Sequence, residues 1–84
     1  MQAASQYIRF SSSDLLNHLP RVLAILERMG FVLEAMSVNR ADEDRSKVML
    51  MYKPNGQLSC DTFIARLATL PGIEDLSQGR EHGG

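Results

Sequence analysis

Asn17, His18, Pro20 and Arg21 form the one stretch where side chains suited to holding a small molecule stand close together. They offer an amide, an imidazole and a guanidinium around a rigid proline. Arg21 suits a carboxylate, whether on a ligand or on a partner protein. A plainer reading competes with this one, because helix starts commonly carry such polar groups as solvated caps. Cys60 follows Ser59 at what reads as a second helix start, where a thiolate is favoured. It is the single cysteine and has no evident base beside it, so it reads as a packing residue. His18 and His82 are too far apart in sequence to suggest a metal site, and Asp42-Glu43-Asp44 lacks the glycine and spacing of a calcium loop. No nucleophile–base pair, glycine-rich phosphate loop or HExxH pattern occurs. These residues argue for a non-catalytic chain with no metal or cofactor of its own.

The bulk properties narrow the class further. The chain has 84 residues, 44% hydrophobic and 23% charged, which fits one globular domain. A chain this short buries roughly 60–65% of its surface, so its stability margin is small and a partner surface would add to it. A net charge of −1 gives no broad attraction to nucleic acid or to an anionic membrane. No apolar run reaches the roughly 18 residues of a membrane span. The N-terminal residues lack the basic and apolar blocks of a signal peptide. One cysteine excludes an internal disulfide, and a cytoplasmic location is the expectation.

The chain is organised around Leu19 to Phe31. Leu19, Val22, Leu23, Leu26 and Met29, with Ile25 beside them, make an apolar stripe at helical spacing. Pro20 suits the first helical position, which leaves open whether Leu15–His18 joins this helix. Gly30 suits its C-terminal cap. Before it, Gln6 to Phe10 reads as a strand and Ser11 to Asp14 as a loop. After it, Phe31 to Arg40 reads as a second strand, with Met36, Val38 and Arg40 on one face and Ser37 and Asn39 on the other. Ala41 to Arg45 is a charged hairpin turn. Ser46 to Tyr52 is a third strand, apolar on both faces in its second half, as expected of a central strand or one that meets another chain. Lys53 to Gln57 is a turn. Ser59 caps a second helix with the stripe Cys60, Phe63, Ile64, Leu67 and Leu70, ended by Pro71-Gly72. Ile73 to Ser77 is a last short strand. The domain is 1–84, with an ordered core of about 6–78 and flexible ends.

The order β-α-β-β-α-β predicts an α+β, ferredoxin-like sandwich: a four-stranded antiparallel sheet with two helices on one face. The other face is left bare, and its Met, Leu and Tyr side chains predict self-association through a sheet face or edge. The RNA-binding members of this fold class stack bases on strand aromatics. Tyr7, Phe10 and Tyr52 are in place for that, but basic surroundings are missing.

At this point the sequence resembles an ACT domain. Val22-Leu23 near the helix start and Arg28-Met29-Gly30-Phe31 at its end are similar to the helix of the regulatory small subunit of acetolactate synthase (acetohydroxyacid synthase), in particular its short isozyme II type. The similarity runs from Arg9-Phe10 to about Leu76. It implies a non-catalytic subunit that binds and activates the synthase large subunit in branched-chain amino acid biosynthesis. In that family the large subunit carries thiamine diphosphate, magnesium and FAD. Amino-acid-binding ACT domains carry an Asn-x-Pro-Gly-Val-Leu type segment, whereas this chain has Asn17-His18-Leu19-Pro20-Arg21-Val22-Leu23. Arg21 stands at the Gly position and would crowd an amino acid held on the backbone. The resemblance therefore implies support of the catalytic subunit without valine sensing. The alternative is a free-standing ACT-type dimer that senses an amino acid at Asn17, His18, Pro20 and Arg21.

Overall fold

The computed structural model describes residues 5–80; residues 1–4 and 81–84, which include His82 and most of the ends expected to be flexible, lie outside the described residues. The elements are β1 (Gln6–Ser12), α1 (Leu15–Arg28), β2 (Val32–Arg40), β3 (Ser46–Lys53), α2 (Cys60–Leu67) and β4 (Ile73–Arg80). The strands form one four-stranded sheet in the order β2-β3-β1-β4, and every neighbouring pair is antiparallel. This is the ferredoxin-like βαββαβ arrangement expected from the element order. Among the described residues, no helix is long and apolar enough to cross a membrane.

Both helices cover the sheet face that carries Ile8 and Phe10 of β1 and Val48, Leu50 and Tyr52 of β3. None of these five is more than 2% exposed. Val22, Leu26 and Met29 of the first helical segment and Phe63 and Leu67 of α2 close over them. Phe31, just after α1, stacks on Tyr52 at 5.4 Å between centroids, and Phe63 meets both rings edge-on at 5.8 and 5.2 Å. Pairs of this kind add about 0.5–1.5 kcal/mol each beyond the area they bury. The Tyr52 hydroxyl lies in this core without a hydrogen-bond partner.

The helix termini follow their local chemistry. Gly30 (φ +75°) ends α1 with a paired cap in which its N–H donates to the Glu27 carbonyl and that of Phe31 to the Leu26 carbonyl. Asn55, from the β3–α2 connection, donates its side-chain amide to the Met29 carbonyl at 2.6 Å and so pins that cap from outside. The Ser59 hydroxyl accepts from the Thr62 N–H at 3.1 Å, capping α2 as its position predicts.

Three expectations are corrected. Pro20 is not the first helical residue but sits inside one continuous α1 that begins at Leu15. Its missing N–H removes the usual helical donor to the Leu16 carbonyl, and Leu16 is a surface residue at 89% exposure, so water can take that carbonyl. The serines read as a loop instead extend β1, since Ser11 and Ser12 pair with Lys47 and Ser46. The last strand runs on from Ser77 through Arg80, because Gln78 and Gly79 keep pairing with Ile8 and Tyr7.

Candidate functional site

The four residues singled out in the sequence all stand within a helix. Asn17, His18, Pro20 and Arg21 lie on the first two turns of α1. Asn17, Pro20 and Arg21 share its exposed side, at spacings of three and four residues. His18 points the other way and is 8% exposed. Its Nδ1 shares a 2.6 Å hydrogen bond with the hydroxyl of buried Ser12, which also accepts from the Asp14 N–H at 3.1 Å. The imidazole also packs over Gly72 (φ +88°), where an added Cβ would collide with the ring. His18 thus ties the end of β1 to the α2–β4 turn, leaving Asn17, Pro20 and Arg21 as a surface patch without it.

Beside this patch, the β1–α1 connection and the β2–β3 turn enclose an open depression of about 670 Å³. Its walls include Ser13, Asp14, Leu16, Arg40 and Arg45, and none of the four sequence-selected residues lines it. Arg40 donates to the Glu43 carbonyl at 2.6 Å. Arg45 pairs with Glu74 at 2.8 Å, with side chains 40% and 49% exposed. An ion pair this open contributes at most about 1 kcal/mol.

The feature that sequence reading underrated is β2. It lies at the sheet edge, and no residue along it is buried. Val32, Leu33, Met36 and Val38 are 61%, 38%, 48% and 40% exposed. Leu33, Met36 and Val38 lie in register with Tyr52, Leu50 and Val48, so they belong to the helix-covered face, but the helices stop short of them. An apolar row beside an unpaired strand edge is a ready site for another polypeptide, since both backbone pairing and apolar burial are on offer. The alternation Met36, Val38, Arg40 did specify the strand face; what it lacked was any sign that the roof ends at β3.

The bare face is more polar than expected. Tyr7, Met49 and Met51 are on it, but so are Arg9, Ser11, Ser37, Asn39, Lys47 and Ser77, by the same register. Cys60 is half-buried against the core, in line with a packing role. Among the described residues, no three His, Cys, Asp or Glu side chains converge as a metal-holding group.

No family model and no curated protein matches the sequence. Solved structures do match the fold. The C-terminal domain of the MgtC protein from Mycobacterium tuberculosis aligns at 11% identity and TM-score 0.81, over 95% of this chain and 89% of that one. The ACT domain of GTP pyrophosphokinase from Chlorobium tepidum aligns at 13% identity and TM-score 0.73, over 93% and 99% of the two chains. An ACT domain protein from Streptococcus pneumoniae aligns at 9% identity and TM-score 0.73, over 93% and 90%. At such identities the likeness establishes architecture: this chain has the ferredoxin-like βαββαβ fold that these ACT domains share.

Proposed function

We propose that this chain is a non-catalytic regulatory subunit that binds and activates the large subunit of acetolactate synthase. The observation that carries the reading is the exposed apolar edge strand β2 on a fold shared with ACT domains. The resemblance of Val22-Leu23 and Arg28-Met29-Gly30-Phe31 to the synthase small subunit supplies the identity of the partner. All four large apolar residues of β2 stand more than a third exposed, an arrangement that favours a protein partner over free solution. Activation then works by population shift: docking favours the active arrangement of the large subunit, which carries the thiamine diphosphate, magnesium and FAD of that family. The same edge serves self-association when the large subunit is absent, pairing β2 of one copy antiparallel to β2 of another. Reconstitution tests the reading. Adding the chain to purified large subunit should raise acetolactate formation, and a Met36→Lys/Val38→Lys variant should not; unchanged activity on adding the unmodified chain rejects the proposal.

The second reading is an ACT-type dimer that senses an amino acid. The depression between Asp14 and Arg40, beside the Asn17–Arg21 turns of α1, is the observation on its side. Calorimetry against the twenty amino acids separates the two. Binding tighter than millimolar, weakened by Arg40→Ala, favours the sensor, and silence with intact activation favours the subunit.

A further inference from the structure

We infer that the bare face of the sheet carries a binding site for a small organic oxyanion, a carboxylate or a phosphate ester, that also bears a hydroxyl or ammonium group. The site is an open depression of about 520 Å³ spanning all four strands, within the usual size range of small-molecule pockets. Met49, on the central strand β3, is among its lining residues. Arg9 and Ser77 lie across from each other on β1 and β4, Arg9 faces Met49 on β3, and Ser37 faces Met49 from β2. Lys47 is diagonal to Arg9, one side-chain step along β3 on the same face, so both cations border one space.

Three features separate this from an ordinary solvated sheet face. First, among the described residues no carboxylate lies within ion-pair distance of Arg9 or Lys47, although Asp75 shares the depression with them. Second, Arg9 is held in place. Its guanidinium lies 5.1 Å from the centroid of the Tyr7 ring, and that ring packs against Gly79, where a Cβ would strike it. Third, β4 bulges between the partners of Arg9 and Ser11, and the bulge holds Asp75 at φ +54°, the one non-glycine residue with positive φ among those described. Glycine is the low-energy choice for that conformation, yet a carboxylate occupies it and lines the depression. Strain of this kind, kept at the wall of a cavity, is characteristic of sites where a side chain must be aimed.

The donor inventory sets the ligand class. Arg9, Lys47 and the Ser37 and Ser77 hydroxyls supply hydrogen-bond donors, and the Asn39 amide already donates to Ser37 at 3.3 Å, turning that hydroxyl's own hydrogen toward other acceptors. An oxyanion meets this array. Asp75, which only accepts, takes the hydroxyl or ammonium at the ligand's other end, and Met49 underlies its carbon chain. The site lies on the opposite sheet face from the helices, and its two cations stand on β1 and β3 and not on the docking edge β2.

The test is an NMR amide-shift titration of the full chain with glycerate, glycerol 3-phosphate and neutral glycerol. Saturable shifts at millimolar concentration or below, centred on Arg9, Ser37, Asn39, Lys47 and Ser77, are expected with at least one of the two anions. Whichever anion saturates identifies the carboxylate or the phosphate as the group recognised. Lys47→Gln should weaken that binding at least tenfold. Asp75→Gly should weaken it at least threefold while leaving the melting temperature unchanged or higher, which separates lost binding from lost folding. Equal shifts with glycerol, no saturation with either anion, or binding that survives in an Arg9→Gln/Lys47→Gln variant overturns the proposal.

Discussion

Met36 and Leu50 face each other across β2 and β3, and so do Val38 and Val48. The pairs share one sheet face and one kind of chemistry. Leu50 and Val48 are 0% and 2% exposed, while Met36 and Val38 are 48% and 40% exposed. Nothing in the strands themselves accounts for the contrast. The two helices roof β1 and β3 and stop before β2, so equivalent side chains one strand apart become core in one case and contact surface in the other. Burial here is decided by where a second layer ends, not by how apolar a strand is.

The largest expected effect tests that contrast directly. Leu50→Ala should cost about 3 kcal/mol of unfolding free energy, and Met36→Ala less than about 1, measured by urea denaturation of dilute protein. Equal losses would break the comparison, because they would mean that β2 is as deeply packed as β3. Next in size is Gly72→Ala, expected to cost about 2–3 kcal/mol through positive-φ strain and collision with the His18 ring. Removing the ring as well, in a His18→Ala/Gly72→Ala variant, should relieve the collision but not the strain.

Tyr52 sharpens the β3 side. Burial, then the Cys60 thiol and Asp61, push the pKa of its hydroxyl above the ordinary tyrosine range. The folded state therefore holds this proton more tightly than the unfolded chain does. The stability it contributes is complete below the unfolded tyrosine pKa and is lost as pH rises through that value toward the higher folded one. Tyr52→Phe should flatten that alkaline loss and, by removing an unpartnered buried hydroxyl, stabilise the fold by about 1 kcal/mol near neutral pH. Alkaline thermal melts of the two proteins check both points.

The smallest change in stability is expected at the edge, where the functional change is expected to be largest. Val38→Lys should alter unfolding free energy by no more than about 0.5 kcal/mol. It should also abolish the self-association expected of the unmodified chain at high micromolar concentration, as read by sedimentation. A monomer in both proteins would remove β2 as the docking edge.

Much of the architecture could be read from local pattern. The stripe Val22, Leu26, Met29 and the cap at Gly30 marked α1, Ser59 marked α2, and the order of elements led to the sheet topology. Pro20 misled, because so near the helix start it removes a single bond, and the carbonyl it frees belongs to Leu16, a residue at the surface where water can reach it. The serines after Phe10 misled because their turn propensity was overridden by pairing with Lys47 and Ser46.

The candidate sites were far less legible. His18 looked like a ligand-binding group, but its fate depended on Ser12 and Gly72, one on a strand and the other in a distant turn. Arg9, Lys47 and Asp75 are spread over three strands, and no spacing along the chain announces their meeting. Periodicity and capping act over a few residues, so the sequence by itself determined the helices, the strands and the faces each strand presents. Which face receives the helices' cover, where that cover ends and which distant side chains share a surface depend on pairing across the sheet, and only the tertiary structure decided them.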